Sequence, residues 1–84
     1  MKTIAILVDP KGDEHYEAYG PMVRDRAMAT RFDDPVVATR AANNRMGRSE
    51  QGFWNSERAH FAKAKEKFRG WTCRTEPAEV DEVV

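Results

Sequence analysis

The sequence predicts a small α+β domain: a three- to four-stranded antiparallel or mixed sheet with two helices packed on one face, in the order ββ(β)ααβ. Three patterns predict it. Residues 3–8 form an apolar run whose two faces are both hydrophobic, Ile4, Ile6 and Val8 on one side and Ala5 and Leu7 on the other, as in a central strand. Asp34-Pro35 opens an alanine-rich stretch, and Trp54, Phe61 and Phe68 recur every seven residues in the next one, so two helices follow one another. Trp71 to Glu76 then alternates with period two, which returns the chain to the sheet.

Taken in order, Asp9-Pro10-Lys11-Gly12 suits a type I turn, with Asp first, Pro second and Gly fourth. Residues 14–19 read as the second strand of a hairpin, ended by Gly20-Pro21. Residues 22–29 show no clean period and read as an ordered loop, and 29–32 as a short third strand. Asp34 is an N-cap and Pro35 the N1 residue, whose missing N–H costs nothing there. Val37, Ala38, Ala41 and Ala42 are expected to form the buried stripe of this first helix, with Gly47 as its left-handed C-cap. The second helix is expected from about residue 50 to 69, with Ser49 and Gly70 as caps and Lys65, Lys67 and Arg69 in the turns where the helix dipole favours cations. The final strand places Trp71, Cys73 and Thr75 on one face, and Pro77 closes it. Residues 1–76 thus make one domain, and 77–84 an acidic tail.

The chain has 84 residues, room for one thin-cored domain and not two. With 40% hydrophobic residues in organised runs, it can close a core despite 33% charged residues. A single cysteine, Cys73, forms no internal disulfide, which points to a reducing compartment. The longest apolar run is far short of the roughly 20 residues a bilayer demands, and it lacks a signal-peptide cleavage site. A cytosolic location without membrane association is expected.

Net charge is zero but unevenly spread. Residues 22–69 hold eleven Lys or Arg against six acids, while both ends are acidic. A basic centre of this kind fits either a solvated surface or nucleic-acid contact.

Catalytic chemistry is not visible. His15, His60 and Cys73 are unpaired at metal spacing, and each reads as an ordinary boundary or core residue. The acids Asp9, Asp13, Glu14 and Glu17 do not match a calcium loop. The five glycines stand at element ends, so no phosphate loop is present. No enzyme, metal or cofactor is expected. On a helical wheel Arg58, Lys65 and Arg69 fall along one flank of the aromatic stripe. They suit phosphates or an acidic protein surface, or else their stems cover the stripe while their heads stay wet. Phe53 lies on the opposite flank, as an interface anchor or packed under the preceding loop. Phe53, Arg58, Lys65 and Arg69 are therefore the candidate interaction surface.

The stretch Ala29-Thr30-Arg31-Phe32-Asp33-Asp34-Pro35, continued by Ala38, Ala41 and Ala42, resembles small phage and prophage accessory proteins. In these a hairpin leads to an "A-x-R-F" strand end, a capped alanine-rich helix and a last strand. The resemblance spans roughly residues 3–46 and 71–76. It implies a non-enzymatic inhibitor, anti-CRISPR proteins being one such group, that covers a host protein or complex in the host-cell cytoplasm. A small nucleic-acid binder using residues 22–69 is the alternative.

Overall fold

The computed structural model describes residues 2–48 and 57–78, and for 57–61 the backbone alone. Strand β1 (Thr3–Val8) leads through the Asp9–Asp13 turn into β2 (Glu14–Tyr16). An irregular segment with a 3₁₀ turn at Arg26–Met28 follows, then α1 (Pro35–Arg45), α2 (Glu57–Lys67) and β3 (Thr72–Pro77). The sheet is fully antiparallel in the order β2-β1-β3, so β1 is central and β3 is an edge among the described strands. The α+β class and the central position of β1 follow the sequence reading.

Both faces of β1 are covered, as its double hydrophobic pattern demands. Ala5 and Leu7 pack with Ala38, Ala42 and Met46 of α1 and with Phe68. Ile4 and Ile6 pack with Tyr16 and Ala29, flanked by Val23. The lid on this second face is not a helix but the 22–32 segment. It is stitched down at Tyr16–Val23 and at Thr3–Phe32, where N–H and C=O are exchanged in both directions at 2.7–3.0 Å. Residues 29–32 make no third strand. Only Phe32 pairs with β1, at Thr3, beyond the point where β2 has ended.

β2 stops at Tyr16 instead of reaching Tyr19. Glu17 N–H still donates to Ala5, but Arg45 captures the carbonyls of Ala18 and Gly20 at 2.9 and 2.6 Å and turns the chain away. The same guanidinium grips both carboxylate oxygens of Glu17, at 2.6 and 3.1 Å.

Helix α1 begins as its capping residues dictate. Asp34 is extended, and its side chain accepts from Val37 N–H at 3.0 Å, with Pro35 in the first turn. It ends at Arg45 with Met46 as its C-cap, and Gly47 then turns the chain with a φ of 73°, which glycine adopts without strain. Ala38, Ala42 and Met46, spaced by four, are fully buried, and the two alanines bring the helix close to β1. Val37, expected on this stripe, is 40% exposed, because it lies about 100° round the helix from Ala38.

Helix α2 meets this core with its end. Phe68, just past the helix, is 5% exposed and packs with Leu7 and Met46. The expected start of this helix, with Ser49, Phe53 and Trp54, lies outside the described residues, as does the side chain of Phe61.

Two substitutions test this packing. Phe68→Ala should cost about 3–5 kcal/mol in urea unfolding, the usual loss for a buried aromatic. Arg45→Ala strands the Glu17 carboxylate and should cost about 3–5 kcal/mol if the pair behaves as fully buried. A loss under about 1 kcal/mol would place it with surface pairs.

Candidate functional site

Three arrangements carry the chemistry of the described residues. The first grows from the hairpin turn. Asp9 accepts from the backbone N–H of Lys11 and of Asp13 at 2.9 Å through one oxygen, which shapes the turn. Its other oxygen lies 3.1 Å from His15 Nε2. The His15 hydrogen bond holds the Asp9 carboxyl below its ordinary value, helped by the Asp13 and Lys11 N–H groups. Trp71 lies against the imidazole, ring centres 4.9 Å apart, and meets Phe68 in a T-shaped contact with ring centres 4.8 Å apart. His15 therefore meets an acid, which its place in the sequence did not announce.

An Asp–His pair becomes catalytic when the imidazole activates a nucleophile. Among the described residues no hydroxyl or thiol bonds to His15. Cys73 faces the same side of the sheet, but Leu7 pairs with both and stands between them. Two interstrand spacings separate them, about 10 Å. Burial pushes the Cys73 thiol above its ordinary value, and Arg48 offsets this only in part, so the reactive thiolate is disfavoured. Asp9, His15 and Trp71 act as a clamp between the turn and the end of α2. No three His, Cys, Asp or Glu side chains of the described residues gather as a metal site.

The second arrangement is a basic recess of about 330 Å³, lined by Arg48, Ala62, Lys65, Glu66, Arg69 and Gly70. Arg48 follows the C-cap of α1 and donates to the carbonyls of Phe68 and Trp71 at 3.1 and 2.8 Å. It thereby caps the end of α2 and is held still. Gly70, with φ of 84°, turns the chain, and a Cβ there would stand 3.3 Å from Pro10. Arg69 pairs with Glu66 at 2.8 Å, and both are largely exposed. Lys65 is exposed and, among the described residues, bonds no other side chain.

Of the four residues the sequence nominated, Lys65 and Arg69 meet in this recess. Arg58 belongs to α2, but its side chain lies outside the described residues, and so does Phe53 altogether. Sequence reasoning missed Arg48, because only the fold brings the end of α1 against the end of α2.

A third group crosses the outer strands. Arg74 donates to Glu14 at 2.6 Å and to Glu76 at 3.0 Å, and Arg26 donates to Glu76 at 2.9 Å. Arg74 lowers the Glu14 and Glu76 carboxyls from their ordinary values, with Arg26 adding to the effect on Glu76.

Fold and site together define a small α+β domain with a clamped hairpin and a basic recess at the junction of its two helices. Comparison with protein-family models, curated proteins and solved structures finds no match. No helix among the described residues is long and apolar enough to cross a membrane.

Asp9, Glu14 and Glu76 are each lowered in the folded chain, so the unfolded chain binds more protons in acid and stability rises with pH. Their contribution is complete above the ordinary carboxylate values of 3.8 and 4.5 and is lost as pH falls through the lower folded values. Urea midpoints measured from about pH 6 down to about pH 2 should fall below these values. Arg74→Gln should flatten part of that fall, and an unchanged profile would show that the Arg74 pairs with Glu14 and Glu76 contribute nothing.

Proposed function

We propose that the chain is a protein-binding module with Tyr19 as an anchor of its contact surface. One observation carries this reading: Tyr19 is 92% exposed on a tip whose two flanking carbonyls, Ala18 and Gly20, are both held by Arg45. An aromatic ring displayed on a fixed backbone loses little freedom on binding, and tyrosine is enriched among residues that dominate interfaces. The Asp9–His15 pair supports the same reading, since its carboxylate is spent on shaping a turn and no nucleophile among the described residues adjoins it. The phage-protein resemblance supplies the setting: an inhibitor, anti-CRISPR-like, that covers a host defence or regulatory complex in the host cytoplasm.

The second reading, nucleic-acid binding, rests on α2. Lys63, Lys65 and Lys67 are exposed along it, and Arg69 is exposed just beyond its end. Phosphate contacts made by these side chains would give an affinity that falls steeply with salt.

Capture from host lysate by the wild-type chain, by Tyr19→Ala and by the double variant Lys65→Glu, Arg69→Glu separates the two. A stoichiometric protein should be recovered by the wild type and lost with Tyr19→Ala. The affinity loss should be about 2 kcal/mol or more, as for an interface hot spot. Recovery unaffected by Tyr19→Ala removes Tyr19 as the anchor. A salt-steep oligonucleotide affinity that only the double variant abolishes selects nucleic acid.

A further inference from the structure

The recess between the two helices has a charge balance and a rigidity that the Tyr19 surface does not use. Arg48, Lys65 and Arg69 bring three positive charges to it and Glu66 brings one negative. Arg48 is already positioned by the carbonyls of Phe68 and Trp71, and Arg69 pairs with Glu66 at the exposed rim. Lys65 is the mobile third, a compact charge on a flexible stem. The surplus of two matches a dianion. A guanidinium held by backbone carbonyls, as Arg48 is through its Nη2, meets an oxyanion at little cost in lost side-chain freedom.

We infer that this recess binds a terminal phosphate group, the dianionic monoester of a small molecule or of a strand end. A phosphodiester carries one charge and leaves the surplus half answered, so it is the poorer ligand. The volume of about 330 Å³ lies at the lower end of the range of small-molecule pockets, so the phosphate would enter with part of the molecule that carries it. Glu66 tunes the site. It holds Arg69 in place while opposing the ligand, so its charge weakens binding.

The test is a titration of the ¹⁵N-labelled chain with inorganic phosphate near neutral pH, at constant ionic strength set with chloride. Saturable shifts should gather at the amides of Arg48, Lys65, Arg69 and Gly70. Lys65→Gln should weaken binding roughly five- to tenfold, Glu66→Gln should tighten it, and Lys2→Gln, next to Asp33 at the other end of β1, should leave it unchanged. Shifts that never saturate, or that spread equally to Lys2 and Lys11, overturn the site. So does a Glu66→Gln variant that is folded and binds more weakly.

Two further arms identify the source. A nucleoside monophosphate that binds while its nucleoside does not marks a small-molecule ligand. A single strand that binds more tightly with a 5′-phosphate than without marks a strand end. A nucleoside that binds as tightly as its monophosphate, together with a strand indifferent to its end phosphate, overturns the monoester assignment. None of these readings depends on Tyr19, so they stand or fall apart from the capture experiment.

Discussion

Glu17 leaves β2 with only 7% of its surface in water, and a carboxylate so placed is tolerable only with a partner. Arg45, from the last turn of α1, supplies that partner with two hydrogen bonds, then holds the carbonyls of Ala18 and Gly20 as well. One guanidinium thus ends β2, sets the direction of the segment that covers the second face of the sheet, and fixes α1 against the hairpin. Because α1 is fixed, Met46 enters the core and Arg48 reaches the end of α2. The two proposed surfaces, the Tyr19 tip and the recess, are positioned from the same helix terminus.

The Asp9–His15–Trp71 group ties the opposite end of β1 to α2. Trp71 touches both the imidazole and the Phe68 ring, and Gly70 lies against Pro10. The hairpin turn, the start of β3 and the end of α2 are therefore packed together. Leu7 gives the row its geometry, since its register partners are His15 on one side and Cys73 on the other. That spacing keeps imidazole and thiol apart.

What the sequence made legible follows from range. Asp34, Pro35 and Gly47 act within a turn of their own positions, so the limits of α1 could be read from them. The doubly apolar 3–8 run demanded cover on both faces, and the fold supplies it. What could not be read depends on residues distant in the chain. Residues 29–32 have strand-like composition, yet only Phe32 pairs, because β1 has one bonding position to offer at Thr3. Val37 looks buried by type and is exposed by the crossing of α1. Lys65 and Arg69 were legible as a basic flank through their spacing on one helix. Arg48 was not, since the contact that brings it to them closes across 20 residues.

The edge strand β3 has a consequence for how anything else can approach this molecule. Its Arg74 and Glu76 side chains lie over the sheet face, where Arg74 reaches across β1 to Glu14, and the strand finishes at Pro77, which has no N–H to offer and whose carbonyl accepts from Arg26 at 3.1 Å. A neighbouring backbone seeking to extend the ladder there meets a missing donor and an occupied acceptor, one of the ways by which sheets resist stacking into fibrils. Association by main-chain addition is therefore disfavoured, and visitors must be recognised by their side chains or by their charge.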